Sequence, residues 1–240
     1  MSRPLTIGIV GGPFPVAMFR YDQQIGTRTA DTGDDGAAPQ MVGGRAPCQQ
    51  YLRYLQWQHL GAWEELAYEI EQECEAVAAA GADFAILAPP ALYEVLPLVH
   101  SPLPIYHILD AVADYAQAHN LPRLALAGPR LTGQARFYGN GLRERGVPVL
   151  LPTDAEQRTL DRLVYTQIIR GRVTPALSRD FAEVARSLAR RGAAGILLTC
   201  AELELLARDQ ALPIPTIDGT RVHLDLAWEI ATGKRSFVAS

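Results

Sequence analysis

Cys200 stands just past the apolar run Gly195–Leu198 and just before two carboxylates, Glu202 and Glu204. A thiol where a strand gives way to a helix meets backbone N–H groups that favour the thiolate, and a thiolate exchanges protons near neutral pH. His223, in the stretch Ile217-Asp218-Gly219-Thr220-Arg221-Val222-His223, is expected on a turn after a strand, and an imidazole there could either exchange protons or cap a helix. Glu202 could orient such an imidazole, or keep the thiol protonated, since a nearby carboxylate disfavours a second negative charge. Gly12 and Gly128 follow apolar runs, and a glycine lets backbone amides approach a carboxylate that a side chain would block. Tyr93 and Glu94 offer a phenol and a carboxylate, and Arg130 a guanidinium that could pair with an acid or simply face water. Together these groups include a thiol, an imidazole and carboxylates of the kind that can exchange protons.

Other chemistries have less to stand on. The three cysteines, Cys48, Cys74 and Cys200, show neither a CxxC nor a metal-ligand spacing, and no GxGxxG or Walker lysine pattern occurs. The expectation is therefore no cofactor and no metal. Cys74 falls on the apolar stripe of a helix and Cys48 in a loop, so both read as structural. His107 reads as a strand-end residue, and His59, His100 and His119 belong to no constellation.

The 240 residues are 48% hydrophobic and 20% charged, an ordinary globular composition with enough apolar material for a core. A net charge of −4 leaves no basic surplus for phosphates, and no long uncharged apolar run could cross a bilayer. Neither nucleic acid nor membrane is an expected partner. The N-terminal residues lack a signal-peptide pattern, so a cytoplasmic location is expected.

The elements that must position these groups alternate: Thr6–Val10, Phe84–Leu87, Ile105, Leu124–Ala127, Gly195–Leu198 and Ile214–Ile217 read as strands, with helical periods between them. That rhythm predicts a parallel α/β fold. Helices are expected over 62–80 and 178–190, each stopped by a glycine, Gly81 and Gly192. Around those stops Ala80–Pro89 resembles Arg191–Cys200 at an offset of 111 residues, which sets Pro89 against Cys200. Leu103-Pro104-Ile105 similarly resembles Leu212-Pro213-Ile214, and Gly12-Pro13 with Phe19-Arg20-Tyr21 resembles Gly128-Pro129 with Arg136-Phe137-Tyr138. The chain reads as a duplication: two pseudo-symmetric α/β domains facing a shared cleft, with loops at the carboxyl ends of the strands. Residues 1–106 with 217–240 should form one domain and 107–216 the other. Thr27–Pro39, dense in turn formers, is expected to be a loop, either a surface insertion or a lid.

The opening Gly-Ile-Val-Gly-Gly-Pro, a Gly-Ala-Asp strand entry, Tyr106-His107-Ile108, Thr199-Cys200-Ala201-Glu202-Leu203 and the Ile217–His223 stretch resemble the aspartate/glutamate racemase superfamily nearly end to end. The resemblance implies two pseudo-symmetric α/β domains, no cofactor, and two cysteines, one per domain, that handle an α-proton from opposite faces. It also implies substrate contacts from Gly12, from Thr132 on the carboxylate, and from Thr199 and Ala201 beside Cys200, with a histidine at His223 near the second thiol, and a homodimer. At the first cysteine block the chain departs: Pro89-Pro90-Ala91 stand at substrate-binding positions where the family has Cys-Asn-Thr.

Three functions remain open from the sequence. One is an enzyme that uses Cys200 alone for proton transfer next to the carboxylate of a small amino or dicarboxylic acid, as in a one-sided isomerisation, decarboxylation or cyclisation. A second is an aspartate/glutamate-type racemase with a non-cysteine second base. The third is an inactive relative that binds a small carboxylate.

Overall fold

The computed structural model describes residues 3–11, 38–43, 60–88, 90–130, 137–168, 171–200, 203–208 and 210–236, the side chain of Ala91 excepted. The chain divides into two compact units, Met1–Ile108 with His223–Ser240, and Leu109–Val222. The expected boundaries, 106/107 and 216/217, lie a few residues from these.

In the first unit β1 (Ile7–Val10) lies between β2 (Met41–Gly43) and β3 (Phe84–Leu87), all parallel. A bridge from Ala85 to Ile105 adds one further rung. In the second unit β4 (Leu124–Ala127) and β6 (Gly195–Leu198) are central, with β5 (Val149–Leu150) and β7 (Thr216–Asp218) at the edges, again parallel. The four-residue runs of β1, β3, β4 and β6 are buried throughout, which is why they read as unbroken apolar stretches rather than alternating ones. β2 and β5 are short and lack such a run, so the sequence pattern did not show them. The expected strand Ile214–Ile217 is shifted to Thr216–Asp218, since Pro213 and Pro215 have no N–H for a ladder.

Helix α1 (Trp63–Ala79) buries Leu66, Ala67, Ile70, Cys74 and Val77 on one stripe. Each large side chain there contributes roughly 1.5–3 kcal/mol by leaving water. After α1 come two short 3-10 turns, Pro90–Glu94 and Leu96–Leu98. Then follow α2 (Ile108–Ala118), α3 (Phe137–Glu144), α4 (Asp154–Arg162), a π-helical turn over Leu163–Gln167, α5 (Pro175–Arg190), the single turn α6 (Glu204–Ala207) and α7 (Gly219–Ala231). Thr174 caps α5 through its side chain, and Pro175 follows at the first helical position, so that helix starts earlier than its apolar periodicity alone suggests. Among the described residues no helix is long and apolar enough to cross a membrane.

The duplication is visible in the hydrogen bonds. α1 ends with Gly81 N–H on Ala78 O and Ala82 N–H on Val77 O; α5 ends with Gly192 N–H on Ala189 O and Ala193 N–H on Leu188 O. Both glycines have positive φ, 93° and 90°, so each helix closes in the same Schellman motif. Beyond it, Ala85 N–H reaches Pro104 O and Ile196 N–H reaches Pro215 O, while Ala88 N–H reaches Val10 O and Thr199 N–H reaches Ala127 O. The offset of 111 thus holds from Gly81 through Pro104. It pairs Leu103-Pro104-Ile105 with Ile214-Pro215-Thr216, not with the Leu212-Pro213-Ile214 that the sequence suggested. At the amino ends Val10 corresponds to Ala127, so Gly11, rather than Gly12, is the counterpart of Gly128.

Candidate functional site

In the second unit, β6 delivers Thr199 and Cys200 to its carboxyl end. The Thr199 N–H donates to Ala127 O at 2.9 Å and its hydroxyl to the same carbonyl at 3.4 Å, which fixes the backbone immediately before the thiol. Cys200 is of intermediate exposure and packs at the margin of the apolar core that includes Phe181, Leu198, Leu203 and Leu206. Its carbonyl accepts the Leu203 N–H at 3.1 Å. The expected helix start is only the single turn α6, with Leu203 at its cap and no capping side chain. Few aligned peptides stand there, and the case for a reactive thiol rests on position and access rather than on a helix dipole.

Asp218 closes β7 and its Oδ1 accepts the N–H groups of Thr220 and Arg221 at 3.0 and 3.2 Å, capping α7. His223 therefore lies inside α7, a turn into the helix, and not on a loop as the sequence suggested. It belongs to the first unit and is 0% exposed. Its Nε2 sits 2.9 Å from the Tyr106 carbonyl and 3.2 Å from the Tyr93 hydroxyl. A carbonyl only accepts, so Nε2 carries a proton, and in the neutral ring Nδ1 holds the lone pair. Cys200 lies in the other unit.

Tyr93, whose phenol the sequence offers, is an interior anchor. It is 2% exposed, accepts the Leu87 N–H at 2.9 Å and donates its own proton to Tyr106 O at 2.8 Å. The ring of His107 lies against it with centroids 4.5 Å apart. The Arg130 guanidinium is exposed and faces Asp154 and Asp161 of α4, with Arg130 N–H on Asp161 at 2.8 Å; its partners are carboxylates of the chain itself.

Gly11 has φ +108, and a Cβ there would lie 2.2 Å from Leu92 Cδ1 and 2.6 Å from Ala88 O, so only glycine fits. The Gly11 N–H donates to Glu73 Oε2 at 2.6 Å. The sequence reading missed Glu73, although its place beside the stripe of Ile70, Cys74 and Val77 was the available signal. Cys74 is fully buried, and burial pushes its thiol above the usual range against a bond from Ser101, as befits a structural residue. His100 is exposed and pairs with Glu71 at 3.0 Å; its backbone and ring bonds draw that carboxyl below its ordinary range. His119 stacks on Tyr115. Pro90 begins the first 3-10 turn, and Ala91 follows in it. Gly12, Cys48, His59, Pro89, Thr132, Ala201, Glu202 and residues 27–37 of the expected loop lie outside the described residues. Among the described residues no group of three or more His, Cys, Asp and Glu could hold a metal ion.

The model of a family described as Asp/Glu/hydantoin racemase matches residues 27–227. Among solved structures, a candidate Asp/Glu racemase from Yersinia pestis is similar over 95% of this chain and 99% of its own, with a TM-score of 0.85 at 23% identity. An aspartate racemase homologue from Pyrococcus horikoshii OT3 is similar over 94% and 98%, with a TM-score of 0.79 at 22% identity. An aspartate racemase from Picrophilus torridus is similar over 96% and 95%, with a TM-score of 0.70 at 18% identity. Identities this low establish a shared fold, the α/β architecture with parallel sheets in two units.

Proposed function

Because the chain belongs to the Asp/Glu/hydantoin racemase family, we propose that it is a cofactor-independent enzyme in which Cys200 alone moves a proton at the carbon next to the carboxylate of a small amino or dicarboxylic acid. The observation that carries this reading is the register of the duplication. Ala88 and Thr199 make equivalent backbone bonds, so the next position holds proline in one half and a thiol in the other. Racemisation needs a proton removed from one face of a carbanion and delivered to the other. With one thiol, one-sided chemistry is the better fit.

In a decarboxylation the bond to the departing CO₂ breaks and its electron pair passes to the α-carbon and the remaining carboxylate. The Cys200 S–H then protonates that carbon, and water restores the thiol. In an isomerisation or cyclisation the thiolate takes the α-proton and returns it at the end. Thr199 is read as the residue that aims Cys200, Gly12 and Thr132 as groups for the substrate carboxylate, Pro89, Pro90, Ala91 and Ala201 as pocket wall, and Glu202 as a modulator of thiol ionisation. The geometry of His223 favours a positioning role, holding the Tyr106 carbonyl, over proton carriage. A cytoplasmic homodimer completes the reading.

The test is proton NMR in deuterated water with a panel of amino acids and dicarboxylates. The expected result is deuterium incorporation or CO₂ loss for at least one acid with wild-type protein and none with Cys200→Ser. Equal exchange by both proteins overturns the reading.

A further inference from the structure

At the common offset of 111 the first half has Tyr93 where the second has Glu204, and Glu204 lines a cavity. The common offset carries Leu87 onto Leu198, Tyr93 onto Glu204 and His107 onto Asp218. In the first unit the Tyr93 ring fills the space between the end of β3 and His107. In the second, Glu204 leans toward Arg208 at 3.8 Å. There a cavity of about 470 Å³ opens, with Leu198, Glu204, Arg208, Leu212, Asp218 and Arg221 among its walls. Cys200 does not line it.

We infer that this cavity is a binding site for a free α-amino acid with an apolar side chain, separate from the Cys200 thiol. Its walls carry two carboxylates and two guanidiniums. A simple cation or anion would gain from one pair and be opposed by the other, whereas a zwitterion satisfies both. The negative end is built in, because Asp218 is 4% exposed and held in place by its bonds to Thr220 and Arg221 N–H. Arg208 and Arg221 supply forks for a carboxylate. The Arg208–Glu204 contact is long and its arginine 62% exposed, so it yields at little cost. Leu198, Ala207 and Leu212 form an apolar wall for the side chain. The inference stands whether or not Cys200 turns a substrate over.

Titration calorimetry with L-phenylalanine, 3-phenylpropionate and 2-phenylethylamine tests it. Wild-type protein should bind L-phenylalanine at least about tenfold more tightly than either probe lacking one of its charges. Glu204→Tyr, which recreates the filling of the first unit, should abolish binding. Arg221→Gln, at an exposed position, should weaken binding about tenfold with an unchanged circular dichroism spectrum and Tm, and it decides the matter if Glu204→Tyr does not fold. Cys200→Ser should bind as wild type does. Absence of binding into the millimolar range, undiminished binding to a folded Glu204→Tyr, undiminished binding to Arg221→Gln, equal affinity for either truncated probe, or loss of binding in Cys200→Ser would each overturn the inference.

Discussion

The Tyr93 hydroxyl donates to the Tyr106 carbonyl at 2.8 Å while it accepts the Leu87 N–H at 2.9 Å, tying the end of β3 to the residue after its bridge partner Ile105. Removing that oxygen leaves a buried N–H without this acceptor. Tyr93→Phe should therefore cost about 1–3 kcal/mol in denaturant unfolding. Turnover per folded molecule should be unchanged, because the phenol carries no substrate proton. A stable variant without turnover would return Tyr93 to the chemistry.

Gly11 and Gly81 separate two costs of replacing a glycine. Both have positive φ, but a Cβ at Gly81 meets nothing within 4 Å, whereas at Gly11 it meets Leu92 and the Ala88 backbone. Gly81→Ala should lose about 1 kcal/mol, the conformational cost alone. Gly11→Ala adds a clash the backbone cannot relieve, and the loss should exceed about 3 kcal/mol. Thermal unfolding of the two variants side by side checks the order.

Glu156 closes a capping box with Thr153 and receives Arg191 Nη1 at 2.7 Å. Burial pushes its carboxyl up, but Ser187, the Thr153 backbone and hydroxyl, and Arg191 outweigh it and hold the group below its ordinary range. The native state then binds fewer protons than the unfolded chain through that range. The resulting stability is complete above the unfolded carboxylate pKa and is lost as pH falls through the lower native one. Glu156→Gln should be less stable by about 1–2 kcal/mol near neutrality. The gap should close in acid, which urea unfolding at several pH values will show.

The sheets were legible because these strands are buried along their whole length: Phe84–Leu87, Leu124–Ala127 and Gly195–Leu198 match the apolar runs residue for residue. So were the helix stops, since positive φ at Gly81 and Gly192 demands glycine in a way the letters show. The register of the duplication was half legible. Two Leu-Pro-Ile triplets match as text, but backbone hydrogen bonds pair Pro104 with Pro215, and side-chain identity does not reveal which carbonyl an N–H meets. The environment of His223 was hidden for a similar reason. Its partners Tyr93 and Tyr106 are more than a hundred residues away, and only the return of α7 to the first unit brings them together.

Cys200 and Cys74 should differ in both chemistry and stability. Cys200→Ser should abolish turnover with little change in Tm, because a serine hydroxyl ionises far too weakly to exchange protons near neutral pH. Cys74 is 0% exposed on the α1 stripe, so Cys74→Ala should lose about 1 kcal/mol of stability by opening a small cavity, yet keep its turnover. Iodoacetamide should label Cys200 well before Cys74. Activity assays and peptide mapping decide both points.

Restoring a thiol at position 89 should not by itself create an efficient aspartate or glutamate racemase. Ala88 N–H is bonded to Val10 O as Thr199 N–H is to Ala127 O, so the two halves match up to the residue before Pro89 and Cys200. The Pro89-Pro90 pair nevertheless fixes φ and removes two N–H donors where the family has Cys-Asn-Thr. A cysteine before Pro90 would be pressed toward extended backbone, and the amide and hydroxyl that would hold a substrate carboxylate would still be missing. Optical rotation of L-aspartate and L-glutamate can follow wild type, Pro89→Cys, and the triple variant Pro89→Cys/Pro90→Asn/Ala91→Thr. No decay is expected for wild type, little or none for the single variant, and slow racemisation at most for the triple. Rapid decay with wild type would mean that another residue already serves as second base, and the one-thiol reading would give way to the racemase.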